Sequence, residues 1–206
     1  RDLDGRDPHY DHLLLVERSS GELAGAARLQ FIPTGAHPLP GSSGSYLEHV
    51  YPGIKADLAR RTNHLEIGRV ALAERFQRQP HSLMALFRGG LLIAARSGYQ
   101  LLHGLVSYNH FAHSNAVNSA FLSALLRPPY RRLDAPLPAP RHPVPGLKPD
   151  NTPHPSGHIQ ALEQEIRQTL SDDFRLPVLL RQYVNLMQAE DCDLSLALDF
   201  NQITEI

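Results

Sequence analysis

The segment Leu65-Glu66-Ile67-Gly68-Arg69-Val70-Ala71-Leu72 decides how the chain is expected to fold. Its apolar residues predict a central β-strand, but two charged residues, Glu66 and Arg69, interrupt them. Residues three apart on a regular strand point to opposite faces of the sheet. Either the two charges therefore serve separate faces, or a bulge near Gly68 turns them to the same side.

Glu66 is the candidate general base, because a carboxyl group held against apolar neighbours has a raised pKa and can accept a proton from an amine. Three other charged residues are expected to complete a network around it if the strands that carry them pair: Asp11, Arg28 and Arg69. A buried charge is costly unless it is paired, so the alternative is a structural ion-pair network without a chemical role.

The rest of the chain alternates between predicted strands and helices. The expected strands are 12–18, which reads as buried, 23–32, 65–72, 99–108 and 194–200. The expected helices are part of 46–61, then 82–97 with Ser82 as its N-cap, 114–126, 159–170 and one that starts at 176–177. This order predicts an α/β fold with a mixed sheet, in which the small residues Gly25, Ala26 and Ala27 allow close packing.

Proline marks one long segment of the chain. Ten of the 17 prolines lie between Pro128 and Pro155, which predicts an extended surface loop or linker outside the core. A length of 206 residues fits one ordinary domain. We therefore expect a single domain over 1–206 with a proline-rich inserted loop at about 128–157.

The composition excludes several classes of protein. Lys and Arg number 20 against 21 Asp and Glu, and the resulting net charge of −1 disfavours nucleic acid as a partner. The single cysteine, Cys192, argues for a reducing compartment, and no apolar run approaches the ~20 residues of a membrane span. We therefore expect a cytoplasmic protein. The first residue is Arg1 rather than Met, which is consistent with a trimmed or partial chain.

Neither a metal site nor covalent catalysis is indicated. His110 and His113 have the spacing of ligands on one helical turn, but no third ligand accompanies them, so no metal site is predicted. Ser107 and Cys192 have no neighbouring His and Asp that would form a nucleophilic triad. The sequence therefore favours a direct transfer between two substrates.

Three motifs in a fixed order carry a resemblance to a known family. Tyr10-Asp11-His12-Leu13-Leu14 is followed by Gly25-Ala26-Ala27-Arg28-Leu29 and then by Glu66-Ile67-Gly68-Arg69. This order resembles the acyltransferases of the GNAT superfamily that use acyl carrier protein. Among them it most resembles the ornithine-lipid N-acyltransferases, often labelled hemolysin-like, with acyl-homoserine-lactone synthases and N-acyl amino acid synthases more distant. The segments 104–107, 176–183 and 199–201 extend the resemblance over most of the chain.

The resemblance implies an acyl-CoA N-acyltransferase-like mixed sheet flanked by helices, and transfer of a fatty acyl chain to the amine of an amino acid or similar acceptor. The donor would be an acyl carrier protein or acyl-CoA thioester, with no tightly bound cofactor. Backbone N–H groups at Val70, Ala71 and Leu72 would hold the donor's oxygen atoms. Arg28 and Arg69 would orient carboxylates, and Ser107 would belong to the substrate network.

The segment 74–81 lacks the glycine-rich signature of a pyrophosphate loop, which favours acyl carrier protein over coenzyme A as the donor. Acyl carrier protein presents an acidic surface. Arg75, Arg78 and Arg88 are the residues expected to form a basic docking patch for it.

Two alternatives stay open. One is an acyltransferase for another acceptor, such as a homoserine-derived signal or a lysolipid. The other is an inactive relative that binds acyl carrier protein, which is favoured by Met187 and Gln188 where the family usually has a glycine pair. An open tunnel at Glu66 would favour the enzyme, whereas a carboxylate sealed in an ion-pair cluster with no cavity beside it would favour the inactive relative.

The resemblance also carries expectations about the biological setting. It implies a bacterial protein of lipid biosynthesis, either free in the cytoplasm or peripheral on the inner membrane because its product partitions there. The family's N-terminal helices, which help to cover the acyl donor, are expected to be short or absent before Arg1.

Overall fold

The fold is that of a computed structural model, which describes residues 7–36, 46–79, 81–134, 136–186, 191–199 and 203–205. The chain divides into two compact units. The first comprises Arg1–His49 and Gly53–Gly104, and the second comprises Val50–Pro52 and Leu105–Ile206. The expectation of a single domain over 1–206 stays a prediction.

The first unit is built on a four-stranded mixed sheet in the order β1-β2-β3-β4. The strands are β1 (Asp11–Val16), β2 (Leu23–Ile32), β3 (His64–Leu72) and β4 (Leu101–His103). β2 is antiparallel to both β1 and β3, and β4 is parallel to β3. The expected mixed α/β fold is confirmed, and the first three strands lie where the apolar patterns place them.

The described residues of this region form four α-helices: α1 (Tyr46–Val50), α2 (Ile54–Ala59), α3 (Glu74–Gln77) and α4 (Ser82–Arg96). A short 3-10 helix, Asp7–His9, precedes β1. α4 packs on one face of the sheet against β1, β2 and β3. Its N-cap is His81 rather than the predicted Ser82, which is the first helical residue, and Gly98 turns the chain after it with a φ of 75°.

The packing of α4 on the sheet depends on Gly25. A Cβ atom there would lie 2.6 Å from Leu72 Cδ2, 2.8 Å from the carbonyl oxygen of Ala71 and 2.8 Å from Leu86 Cδ1. These separations are shorter than carbon contacts allow, so a side chain would force β2, β3 and α4 apart. The small residues of β2 therefore serve close packing, as the sequence indicated.

β1 differs from the expectation of a buried strand. It lies at the edge of the sheet, and only its alternate residues face α4, where Leu13 is in reach of Gly89. Leu14 and Val16 are 56% and 51% exposed. The prediction of burial was wrong because a run of apolar residues does not distinguish an edge strand from a central one.

The predicted strand 99–108 is in fact two short strands that belong to different sheets. β4 ends at His103, and β5 (Ser107–Tyr108) pairs with β7 (Ile203–Glu205) in the second unit. The intervening residues are irregular, and Val106 is buried in the core of the second unit. The apolar side chains that suggested one continuous strand therefore pack into two cores.

The second unit combines a three-stranded antiparallel sheet, in the order β5-β7-β6, with helices. The remaining elements are β6 (Ala197–Asp199), α5 (Asn115–Leu125), α6 (Ile159–Thr169) and α7 (Val178–Leu186). A 3-10 helix, His110–Ala112, precedes α5, whose N-cap is Ser114. The predicted helices at 114–126, at 159–170 and after 176–177 are confirmed to within a few residues.

The proline-rich segment contains neither helix nor strand between α5 and α6 in its described residues. It is not wholly external, because Tyr130 is fully buried and donates a hydrogen bond of 2.7 Å to the carbonyl oxygen of Ser156. Val144 and Leu147 also pack against the core of the second unit. The prediction that this segment lies outside the core was therefore wrong for Tyr130, since proline restricts the backbone without preventing its neighbours from packing inward.

Across the described ranges, none of the helices is both long and apolar enough to cross a membrane.

Candidate active site

The carboxylate of Glu66 is buried and has partners on both oxygens. Oε2 lies 2.8 Å from Lys55 Nζ, and Oε1 accepts a hydrogen bond of 3.2 Å from the Tyr10 hydroxyl. Glu66 is only 5% exposed. The sequence analysis placed this carboxyl group against apolar neighbours, but the structure surrounds it with an ammonium and a phenol. The candidate general base is therefore engaged in an ion pair and a hydrogen bond.

Lys55 reaches Glu66 because of how α2 begins. Gly53, with a φ of 85°, precedes the helix, and its N–H donates a 2.7 Å hydrogen bond to Glu48 Oε1. Glu48 Oε2 also accepts from the backbone N–H of Lys55, at 3.2 Å. The Lys55 ammonium donates to Gln30 Oε1 as well, and Gln30 stands opposite Glu66 in the β2–β3 register. The turn before α2 thus holds one ammonium between two neighbouring strands.

Arg28 forms a second ion pair beside this one. Its Nη1 lies 2.8 Å from Asp7 Oδ1, and its guanidinium sits 5.1 Å from the centre of the Tyr10 ring. Tyr10 therefore contacts both Arg28 and Glu66. The structure brings Asp7 to Arg28 instead of the predicted Asp11, which is exposed at the start of β1.

The bulge considered for β3 is present next to Gly68. Arg28 of β2 pairs with Gly68 of β3, and Ala26 pairs with Ala71. Between these two pairs β3 has two residues, Arg69 and the residue after it, whereas β2 has only Ala27. The backbone of Arg69 has a φ of 48°, a strained conformation for a residue with a side chain. The bulge does not gather the two charges of β3 into one cluster, because Arg69 is exposed and Glu66 is buried.

One edge of β3 is only partly covered. β4 pairs with β3 only over His64–Glu66, opposite Leu101–His103. From Ile67 to Leu72, no described strand pairs with β3 on that side. Val70, Ala71 and Leu72, the predicted donor contacts, belong to this stretch of β3, along which the N–H groups of alternate residues point away from β2.

Two histidines, His64 fully buried and His103 half-buried, stand where the β3–β4 pairing ends. His64 Nδ1 lies 2.7 Å from His103 Nε2, and His103 is opposite Glu66 in the register. The outer nitrogens, His64 Nε2 and His103 Nδ1, are buried with no hydrogen-bond partner among the residues that the structure describes. Burial lowers the pKa of His64 to about 4. Burial, with the nearby His64 and the Lys55 ammonium, also lowers the pKa of His103 well below its ordinary value, so both rings are neutral at pH 7.

The three arginines predicted to dock a carrier protein differ in their surroundings. Arg75 Nη2 lies 2.7 Å from Glu17 Oε2, its Nη1 lies 2.8 Å from Glu22 Oε2, and its guanidinium stacks 4.5 Å from the Phe76 ring. Arg78 and Arg88 are exposed. The charge of Arg75 is therefore partly neutralised within the chain.

The segment from β3 to α4 forms the short helix α3 instead of a glycine-rich loop. Phe76 anchors this helix and is 2% exposed. The residues between Leu72 and Ser82 include no glycine.

The other predicted site residues lie elsewhere. Ser107 is exposed on β5 of the second unit, opposite Glu205. Met187 and Gln188 fall outside the described residues, as do Phe200 and Asn201 of the last motif. Within the described part of the chain, no group of three or more His, Cys, Asp or Glu side chains is placed to hold a metal ion.

Sequence reasoning missed several members of the site. They are Asp7, Tyr10 as a contact of Glu66, Gln30, Lys55, His64 and His103. One signal was available, because polar His64 and Glu66 alternate with apolar Leu65 and Ile67, which predicts a polar sheet face. No local pattern marks Lys55 or His103, which reach the site only through the tertiary fold.

Comparison with known proteins identifies the superfamily that this arrangement resembles. Residues 1–87 match the family model described as an acetyltransferase (GNAT) domain. The matched part covers β1, β2 and β3, which carry Glu66 and Arg28, and extends into α4. No curated protein matches the chain significantly. The match covers less than half of the chain, so it shows a likeness of residues 1–87 to acetyltransferases of the GNAT type.

Proposed function

We propose that this protein transfers a fatty acyl chain from the thioester of acyl carrier protein to the amine of an amino acid or similar small molecule. The product would be an N-acyl amino acid or a lipid of the ornithine-lipid type. The observation that carries the proposal is the uncovered edge of β3, which begins at the buried cluster around Glu66. A strand edge offers unpaired backbone groups that can hold an extended, amide-containing thioester arm.

The uncovered edge has the donors that acyl transfer needs. Attack of an amine on a thioester places negative charge on the carbonyl oxygen, and preorganised N–H groups that stabilise this charge are usually the largest catalytic contribution. Val70, Ala71 and Leu72 are the residues whose backbone we assign to this role. The bulge at Arg69 supports it, because such irregularities re-aim backbone groups beside active sites.

The donor we favour is acyl carrier protein. GNAT enzymes use acyl-CoA, whose pyrophosphate needs a loop of close-approaching backbone N–H groups. In this chain α3 occupies that position, Phe76 is buried, and the segment has no glycine. The exposed Arg78 and Arg88 supply positive charge for an acidic carrier surface.

The acceptor we favour carries a carboxylate beside its amine. Arg69 is exposed at the bulge, next to the residues assigned to the thioester, and a guanidinium matches a carboxylate in a bidentate geometry. Arg28 contributes to the site through its pair with Asp7 and its stacking on Tyr10. The positive charge of Arg69 therefore favours an amino-acid-type acceptor. A homoserine-derived acceptor and a lysolipid are the alternatives to include in the same test.

One observation favours a second candidate, an inactive relative that binds acyl carrier protein. Glu66 is held in a buried ion pair with Lys55, the arrangement expected if the charges are structural. Such a protein would bind the carrier through Arg78 and Arg88 without releasing any product.

Donor competition tests the proposal. Purified protein is given a long-chain acyl carrier protein and the matched acyl-CoA in separate reactions with an amino acid pool, and carrier binding is measured in parallel. The expected result is N-acylation with a kcat/KM at least ~100-fold higher for the carrier-bound donor, about 2.7 kcal/mol of discrimination. Faster turnover of acyl-CoA would overturn the choice of donor. Carrier binding without turnover for any acceptor would favour the inactive relative.

A further inference from the structure

We propose that His103, held in place by His64, accepts the amine proton during acyl transfer, and that Glu66 does not. This inference rests on the proposed function and names a proton acceptor within the same site. Its basis is the contrast between two neighbouring groups. Glu66 Oε2 is in an ion pair with Lys55 and Oε1 accepts a hydrogen bond from Tyr10, whereas His103 Nδ1 has neither kind of partner among the described residues.

The place of His103 in the fold suits this role. It is the last residue of β4 and stands opposite Glu66, where the uncovered edge of β3 begins. Its Nδ1 atom is buried and lacks a hydrogen-bond partner among the described residues. A buried polar atom without a partner is costly and calls for an explanation, and a bound substrate group would supply the missing partner.

The contact with His64 restricts the tautomer of His103. The 2.7 Å separation of His64 Nδ1 and His103 Nε2 requires one hydrogen between them. If His103 Nε2–H is the donor, then His103 Nδ1 is left as a lone pair and the hydrogen of His64 is on Nε2. His64 is then a positioning residue, which fixes the ring orientation and the tautomer of His103. A group that hydrogen-bonds the second ring nitrogen of a catalytic histidine has the same effect.

The step balances without any further reagent. The neutral amine attacks the thioester carbon, so a C–N bond forms, and the N–H proton passes to His103 Nδ1. The C–S bond then breaks with its electron pair on sulfur. The proton moves from His103 to this thiolate, which leaves as a thiol, and the histidine pair returns to its neutral state.

The charged and titratable groups around the pair keep both rings neutral at pH 7, so a proton taken up by His103 is held only briefly. Lys55 approaches from α2, Glu66 from β3, and Tyr10 from the segment before β1. Burial and the Lys55 ammonium lower the pKa of His103, so its lone pair is available at pH 7. A thiolate has an ordinary pKa of about 8.5, so return of the proton from His103 to sulfur is favourable.

Substitution of the two histidines tests the proposal. His103→Asn keeps a polar group near the Nδ1 position but cannot take up a proton, and we expect kcat to fall about 100-fold or more with KM within about threefold. His64→Asn still offers an oxygen to His103 Nε2–H and should retain most activity, whereas His64→Leu should not. The control is His158→Asn, at the exposed N-cap of α6, which should match the wild type. A folded His103→Asn protein with kcat within threefold of wild type would overturn the proposal.

A measurement on the unaltered protein decides the matter if these variants fail to fold. Nitrogen-15 NMR of the histidine rings reports which nitrogen carries the hydrogen. At pH 7 we expect His103 to be neutral with its hydrogen on Nε2. A hydrogen on Nδ1 would contradict the proposal.

The activity of the wild type and of His103→Asn distinguishes a wrong function from a wrong proton acceptor. If the wild-type protein acylates no amine, the proposed function is wrong and the proton acceptor with it. If the wild type is active and His103→Asn is equally active, only the assignment of His103 is wrong.

Discussion

Lys55 Nζ and Glu66 Oε2 lie 2.8 Å apart, with side-chain exposures of 11% and 7%. A buried ion pair contributes little over a well-packed apolar pair, but the loss of one partner leaves an uncompensated charge. The pair therefore accounts for the charge in the middle of β3 in structural terms. It also corresponds to the structural ion-pair network that the sequence left open as the alternative to a general base at Glu66.

The first prediction concerns this pair. Glu66→Gln leaves the Lys55 ammonium buried without a counter-charge, and we expect the free energy of unfolding to fall by about 3 kcal/mol. The double variant Lys55→Met/Glu66→Gln should recover much of this loss, since neither charge remains. Urea unfolding of the wild type, the single variants Glu66→Gln and Lys55→Met, and the double variant gives the coupling energy directly. Additive effects of the two substitutions would show that the ion pair is not formed.

The kinetics of the same variant separate the two candidate proton acceptors. With His103 as the acceptor, Glu66→Gln should lower kcat by less than about tenfold at a temperature where the variant is folded. If Glu66 is the general base, the loss should be roughly 100-fold or more. Steady-state rates for Glu66→Gln and His103→Asn, measured side by side, show which residue has the larger effect.

The histidine pair makes stability depend on pH. Burial lowers the pKa of His64 from 6.5 to about 4, and the pKa of His103 is lowered as well. At a pH between the lowered pKa of a folded histidine and its ordinary pKa, the unfolded chain binds a proton that the folded chain does not. The free energy of unfolding should therefore decrease as the pH falls from about 7 to 4. Each proton changes the folding equilibrium by at most about tenfold per pH unit.

Replacing the pair isolates this contribution from that of the carboxylates. A His64→Leu/His103→Leu protein should lose stability less steeply than the wild type between pH 6.5 and 4.5. Urea midpoints across that range provide the comparison. Parallel curves for the two proteins would show that the histidines are not responsible.

Gly25 offers a test of the packing between β2, β3 and α4. Gly25→Ala places a Cβ atom 2.8 Å from the carbonyl oxygen of Ala71, a backbone atom that cannot rotate away, so we expect a loss of about 1–3 kcal/mol. Gly68→Ala is the matched control, because a Cβ there has nothing within 4 Å. Thermal unfolding of both variants checks the expectation, and equal melting temperatures would refute it.

The carrier-docking assignment predicts a selective change in KM. Arg78→Glu/Arg88→Glu should raise KM for an acyl carrier protein donor about tenfold, weaken its dependence on salt, and leave KM for acyl-CoA unchanged. Arg96→Glu, on an exposed position of the same helix as Arg88, is the control. If Arg96→Glu also raises KM for the carrier-bound donor, the effect belongs to net charge and not to a docking patch.

The elements of the first unit were predictable where apolar periodicity was strong. The patterns at 23–32, 65–72 and 82–97 correspond closely to β2, β3 and α4. The strand 99–108 was not divided correctly, because Val106 packs into another core and a one-dimensional pattern cannot show this. Exposure of β1 was missed for the same reason.

The site was predictable in its centre but not in its partners. A charged residue in a central strand identified Glu66, and its burial follows from that position. Lys55 and His103 come to it through α2 and β4, and neither has a local signature. Asp7, and not Asp11, pairs with Arg28 because the 3-10 helix before β1 directs the Asp7 carboxylate inward. No sequence pattern predicted this helix.

The measurement closest to the central claim is mass spectrometry of a reaction that contains the purified wild-type protein, a long-chain acyl carrier protein and a pool of amino acids that includes ornithine. We expect one or more N-acyl amino acids, whose formation requires protein, donor and acceptor together. Free fatty acid alone, or no change in the donor while the carrier still binds, would contradict it.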